Sequence, residues 1–448
     1  MRARTDVRHL LAIMAALSVL PLSTAAAKGV AHAVNPATAP GAAQGDCDTP
    51  TTPFCDALMK PPPGWQRHVF KLAQDYPKTL PAPDAMPWRK FDPKTQGVEY
   101  LGAVLDYFYE GNIRDSVEDS FDPAKNTVRQ WFNAPWQDYG KGGREFIHGL
   151  TRERVNEVQE LAFEQTSRWN NYAVGFYNAP GGYVIGQVWS DHGKPDATKS
   201  NFPDGTVAAK LLFTTASVAE VPYLAGAPEW DAYVYDPHID SAQIPDDPAK
   251  RKRMVMKVRL LQIDIAVKDF KANSPTGWVM GTFVYGAGMT GTPGAGWRNV
   301  APIGIMWGND PDYPTTGVIK ETVLNAKVAM PHVGWEARLN GPVDNKLSAC
   351  LSCHGTAEVT PDGSTMKKSG MIPKRSSDVM NWFRNVPSGT PFDAGAISTD
   401  YSLQLAGGIA NFREQQKIAH ATGAEKVRDI KEKNEMEKVS PRDGGEID

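Results

Sequence analysis

One pentapeptide constrains this chain more than anything else in it: Cys350-Leu351-Ser352-Cys353-His354. Two cysteines three apart followed at once by histidine is the spacing by which thiols add to the two vinyl groups of a haem while the next imidazole ligates the iron. On a helical turn, positions i, i+3 and i+4 share a face. Cys350, Cys353 and His354 therefore point at one porphyrin edge, and Gly355 lets the turn end. Two other chemistries use a C-x-x-C. A zinc site needs a second Cys/His pair nearby, and none follows. A redox dithiol needs a β-α-β setting, whereas the flanks here are rich in Gly, Asn, Pro and Ser. The expected cofactor is one covalently attached haem c, with His354 as axial iron ligand.

Covalent haem attachment requires export, and the N-terminus has the pattern of a secretory signal. Arg2, Arg4 and Arg8 precede an apolar run from Leu10 to Leu20, closed by Pro21, and small residues at Ala25-Ala26-Ala27 and Ala31-His32-Ala33 offer cleavage sites. That run is shorter than the roughly 20 residues needed to span a bilayer. The expectation is a mature chain without an integral membrane segment, periplasmic or secreted. In an oxidising compartment the remaining cysteines, Cys47 and Cys55, are expected to pair as a disulfide. A net charge of −3 gives no basic footprint for nucleic acid. The expected partner is a redox protein.

The chain divides by composition into 1–27 (signal peptide), 28–64 (an irregular arm holding the disulfide), 65–164 (helical and loop-rich), 165–345 (β-rich core), 346–400 (haem-attachment segment) and 401–448 (C-terminal helix and polar tail). Helix is expected over Val98–Phe108, Thr151–Trp169 and Tyr401–His420. Strands are expected over Asn171–Tyr177, Tyr183–Trp189, Ala208–Thr214, Met254–Val267, Trp278–Tyr285 and Ile303–Trp307. Pro180-Gly181-Gly182 reads as the hairpin between the first two. In the long strand Leu261, Ile263, Ile265 and Val267 take one side, Gln262 and Asp264 the other. Residues 225–253 read as a Pro/Asp-rich insertion. No strand alternates with a crossover helix, so the fold class is α+β: an antiparallel sheet core flanked by helices, with the haem-attachment helix in the C-terminal third.

The iron's sixth position separates electron transfer, which methionine ligation suits, from an open site for catalysis or gas binding. Candidate ligands are Met366, Met371, Met380, His148, His238 and His332. The aromatic loop around Trp131, Trp136, Arg144 and His148 is a candidate pocket wall. Arg338 and Lys346 are candidates for pairing with haem propionates.

Asn201-Phe202-Pro203-Asp204-Gly205-Thr206-Val207-Ala208-Ala209-Lys210 resembles a turn-into-strand segment of cytochrome c-prime-beta and of the cytochromes with a lysine-cross-linked haem. Ile265 to Asp269 with Thr276-Gly277-Trp278 is similar to the next strand pair there, and the C-x-x-C-H follows in the same order. The resemblance covers about residues 165–357 and leaves 225–253 and 286–346 without counterpart. It implies a five-coordinate haem that binds small gases or performs oxidoreductase chemistry, and marks Lys210 for a test of contact with haem. The chain as a whole is similar to long exported monohaem c-type cytochromes.

Overall fold

A computed structural model of the chain describes Phe54 and residues 61–113, 121–137, 144–239, 243–245, 250–286, 296–328, 333–363 and 379–420. The expected signal segment, Cys47 and Cys55, Met366, Met371 and His332 lie outside these residues. The fold is mixed α+β, built on one large antiparallel sheet with few helices.

The sheet has nine strands. In chain order they are β1 (Trp131–Phe132), β2 (Thr151–Arg152), β3 (Asn171–Asn178), β4 (Val207–Thr214), β5 (Glu229–Val234), β6 (Met254–Lys268), β7 (Trp278–Tyr285), β8 (Val300–Met306) and β9 (Thr322–Leu324). The order across the sheet is β1-β3-β4-β6-β7-β8-β9, with β2 also pairing β3 and β5 pairing β6. β5 pairs with Met254–Arg259 and β7 with Gln262–Lys268, so the long β6 is shared between them. The Ser274–Gly277 turn before β7 closes through Gly277 N–H to the Ser274 carbonyl (3.1 Å), with Gly277 at φ 78°.

Period-two alternation gives the sheet two different faces. Odd positions, among them Ala209, Leu211, Ile263, Ile265, Val267, Val279 and Phe283, are buried in an aromatic-rich layer under helix α1 (Gly97–Tyr109). Leu101 of α1 lies where a side chain at Gly281 would stand, so that glycine sets the closeness of helix to sheet. Even positions face a second core that includes Trp278, Met280, Leu351, Val359, Leu405 and Ile409. Over that second face lie two more helices, α4 (Cys350–His354) and α5 (Leu403–His420); α2 (Ala179–Val188) and the short α3 (Tyr313–Thr316) are the other α-helices among the described residues. A two-stranded sheet, β10 (Glu358–Val359) with β11 (Ile397–Ser398), follows α4.

Three expectations are corrected. Tyr183–Trp189 is not a strand, and Pro180-Gly181-Gly182 is not a hairpin: they belong to α2. Asn178 caps that helix, its side chain accepting from Gly181 N–H, and Pro180 in the first turn supplies a pre-set φ. Gly182 is there for packing, since a Cβ would collide with the Phe132 ring. Thr151–Trp169 is not a helix but β2 followed by irregular chain. Its polar side chains take the backbone donors a helix would need: Glu160 accepts from Glu157 N–H (2.9 Å) and Gln165 from Leu161 N–H (2.8 Å). Finally, the insertion at 225–253 contains β5, which alternates buried and half-buried residues along β6.

Glu160 is the keystone of that irregular segment. It receives two bonds from Arg154 (2.7 and 2.5 Å) and lies 3.5 Å from Lys346. Burial opposes its ionisation, but Arg154 outweighs burial and holds the carboxyl down to about 2, against an ordinary 4.5. The stability it contributes is complete above pH 4.5 and lost as pH falls towards 2. Glu160→Gln, which strands Arg154 half of whose bonds are gone, is expected to cost about 3 kcal/mol in denaturant unfolding at pH 7 and to flatten the acid limb.

Candidate functional site

The segment before the motif is locked from both sides. Trp335 N–H donates to the Ser348 carbonyl (2.9 Å) and Cys350 N–H to the Leu339 carbonyl (3.1 Å). Gly334 sits against the Ser348 carbonyl, where any Cβ would collide with backbone. The Ser352 hydroxyl then takes the Ala349 N–H (2.8 Å) and returns a bond to the Ala349 carbonyl (3.0 Å), stitching the start of α4. Leu351 and Ser352 are fully buried, whereas Cys350, Cys353 and His354 each keep some exposure. The three chemically active side chains thus stay half-buried, while the two spacer residues anchor the turn.

His354 is oriented by one bond. Its Nδ1 lies 2.8 Å from the Tyr401 carbonyl oxygen. A carbonyl only accepts, so Nδ1 carries the proton and the neutral ring has its lone pair on Nε2. Burial pulls the imidazole pKa below its ordinary value, the Tyr401 bond pushes back, and the Lys210 charge adds to the lowering. The ring is neutral at pH 7, as a metal ligand must be.

Both thiols are free. Burial pushes Cys350 well up and Cys353 up to about 12. Reactive dithiols and zinc ligands work as thiolates, which need a lowered pKa. Among the described residues no group of three or more His, Cys, Asp or Glu could hold a metal ion. Neutral thiols on one helical face beside an imidazole with a free Nε2 form a donor set that fits a porphyrin edge and its iron.

Against the motif runs a row across five strands. Gly175 of β3 is paired with Lys210 of β4, Lys210 with Asp264 of β6, Asp264 with Thr282 of β7, and Thr282 with Gly304 of β8. Lys210, Asp264, Thr282 and Gly304 are even positions on the face that carries α4, and Gly175 opposes Lys210 with its Cα against Gln404 on the same face. Thr282 Oγ1 donates to Asp264 (2.9 Å) and stands 3.8 Å from Cys350 Sγ. Gln262 Nε2 reaches Asp264 (2.9 Å) and Asp344 (3.1 Å) together. Lys210 forms an ion pair with Glu153 (3.2 Å), and its charge acts on both Cys353 and His354. Burial and the neighbouring Asp344 raise Asp264 to about 7, with Lys210 and the Gln262 and Thr282 bonds opposing them.

Comparisons with protein-family models, curated proteins and solved structures gave no significant match.

Lys210 lies within electrostatic reach of Cys353 and His354 and is engaged by Glu153. His148 is not at the motif: that ring stacks on Trp230 (4.5 Å, 9°) in the opposite layer of the sheet. His238 rests against the Trp169 ring and the Arg168 carbonyl. Met380 lies on the 3-10 helix Val379–Phe383, which packs beside α4. Arg338 is no propionate partner. It is fully buried, and its guanidinium is spent on the carbonyls of Asn309 (2.8 Å), Asp310 (3.0 Å) and Trp335 (3.2 Å). Lys346 lies instead beside Glu160. Of the aromatic loop, Arg144 with Asn133, Gln137 and Gly149 borders a small space against Gly175 and Gln404, and neither Trp131, Trp136 nor His148 lines it. Sequence reading missed Asp264, Thr282, Asp344 and Glu153 as site residues. The signal available was the polar side of β6, which reads as solvent-facing until α4 covers it.

Proposed function

We propose that the chain is an exported, monohaem c-type cytochrome that moves single electrons, with Cys350 and Cys353 holding the porphyrin and His354 the iron. The carrying observation is the His354 geometry: Nδ1–H is given to the Tyr401 carbonyl, which leaves the lone pair on Nε2. A bound haem would supply the ferric/ferrous couple. The protein's own part is to fix the imidazole tautomer, exclude water with the buried layer around Leu351 and Val359, and set the charge around the motif. The redox partner would be another protein of the same compartment. No helix among the described residues is long and apolar enough to cross a membrane.

The test is a pyridine haemochrome spectrum and intact mass of the mature chain made in a host with haem-attachment machinery. A c-type band and the added mass of one haem are expected. A chain of peptide mass alone sinks the reading.

One observation favours a second reading, a five-coordinate haem that binds small gases or performs oxidoreductase chemistry. Lys210, Glu153, Asp264 and Asp344 act electrostatically on the motif and each is half-buried, a charged setting suited to a reactive open site rather than a sealed electron carrier. The ferrous spectrum separates the two. High-spin ferrous haem that takes up CO at once supports the open site; a low-spin spectrum with a methionine-to-iron band supports electron transfer.

A further inference from the structure

We propose that Asp400 is a positioning residue for His354: the buried Lys268–Asp400 pair holds the turn whose Tyr401 carbonyl fixes Nδ1, and so sets how strongly Nε2 donates to a haem iron. The inference rests on the haem reading above.

The turn is unusual in its residues. Ser402 N–H donates to the Thr399 carbonyl (2.9 Å), and both central residues are left-handed, Asp400 at φ 47° and Tyr401 at φ 68°. Two positive φ values in succession are the pattern of a type I′ turn, which ordinarily takes Asn and Gly. A tyrosine there is disfavoured and persists only where the surroundings over-determine it. They do. The Asp400 carboxylate accepts from Lys268 Nζ (2.9 and 2.8 Å), Trp278 Nε1 (3.1 Å), Ser388 Oγ (2.9 Å), Gly389 N–H (3.1 Å) and Phe202 N–H (2.9 Å). Lys268 and Asp400 are both fully buried. The Tyr401 hydroxyl is tied to the Val386 carbonyl (2.6 Å), and Ser402 caps α5 through Leu405 N–H (3.1 Å).

A buried ion pair is a poor means of stabilising a fold, because apolar residues of similar volume do as well. This pair does what apolar residues cannot: it gathers β4's approach, β6, β7 and the 388–389 loop onto one carboxylate and holds a disfavoured backbone. The product is a carbonyl 2.8 Å from Nδ1. An imidazole that donates Nδ1–H to a fixed acceptor is more basic at Nε2, favours ferric iron, and lowers the potential.

The experiment uses the full mature chain with haem attached, and compares Asp400→Asn, the double variant Lys268→Met/Asp400→Asn, and Ser388→Ala by redox titration and by the ferrous iron–histidine stretching frequency. The double variant removes the stranded lysine charge that could unfold the single one. Ser388→Ala, on a partly exposed loop, removes one bond to Asp400 and one from Lys268, and leaves the charge pair. We expect the two Asp400 variants to shift the equilibrium about tenfold towards ferrous, a rise of about 59 mV, with a lower stretching frequency. Ser388→Ala shifts it about twofold in the same direction. Wild-type potential and frequency in the haem-loaded variants overturn the inference while leaving the haem reading intact. Absence of a c-type haemochrome in the wild type overturns the haem reading, and this inference with it.

Discussion

Cys350→Ala/Cys353→Ala is expected to abolish covalent haem: the c-type haemochrome band disappears and the mature mass falls to that of the peptide alone. Each single variant keeps one thioether and shifts the haemochrome band to the red, because one vinyl group stays unsaturated. The thiols' surroundings separate haem attachment from dithiol exchange. Burial keeps both protonated well above neutral pH, and the Lys210 charge lowers Cys353 only in part. A dithiol built for exchange would be a thiolate near a helix N-terminus or a cation. If these cysteines were such a dithiol, the wild type would instead show a mass change of two hydrogens on reduction, with no absorbance lost in the double variant. The His354 tautomer adds a second prediction from the same site. Holding Nδ1–H on the Tyr401 carbonyl leaves only Nε2 for metal, so His354→Ala should lose the axial imidazole signature while Cys350 and Cys353 still present both thiols.

How much of this was legible beforehand follows from the range of the interactions. The motif and its helix are local: spacing alone places Cys350, Cys353 and His354 on one face. The alternation of β4, β6, β7 and β8 is equally local, and the antiparallel sheet follows from it. What misled is where local pattern met a distant partner. The apolar positions of 155–162 have helical spacing, but Arg154, Lys346 and Pro342 draw Glu160 and Asn156 into bonds that no single window contains. Pro180-Gly181-Gly182 carries turn residues, yet Asn178 and the Phe132 ring decide in favour of a helix. At the site, Asp264 was visible as a polar residue on an alternating strand. That its side faces α4 rather than water depends on chain some eighty residues later, which no periodicity reports. Lys210 was marked by resemblance alone, and its register opposite Asp264 is a product of the sheet.

That register yields the prediction with the widest consequence. Asp264 stands in the row Lys210–Asp264–Thr282, one hydroxyl away from Cys350 Sγ, and burial with Asp344 raises it to about 7. Near neutral pH its charge therefore changes beside the thiol that would hold the proposed haem. An ionised carboxylate there favours ferric iron, so the midpoint potential of the wild type should fall as pH rises through 7, with a slope bounded by about 59 mV per unit. Asp264→Asn keeps the shape and the Thr282 contact but cannot ionise. Its potential should be flat from pH 6 to 8 and should match the low-pH limit of the wild type. The same group makes an opposite-looking mark on stability in the haem-free chain. Its folded pKa lies above the ordinary carboxylate value, so the native state holds a proton that the unfolded chain has released. The contribution is intact below pH 3.8 and is lost as pH climbs towards 7. Asp264→Asn should remove that loss, making the variant more stable than the wild type at pH 8 and no more stable at pH 3.5. Redox titration and denaturant unfolding across this range check both. A wild-type potential that does not move with pH, or an Asn variant that tracks it, would place the proton elsewhere and detach Asp264 from the haem.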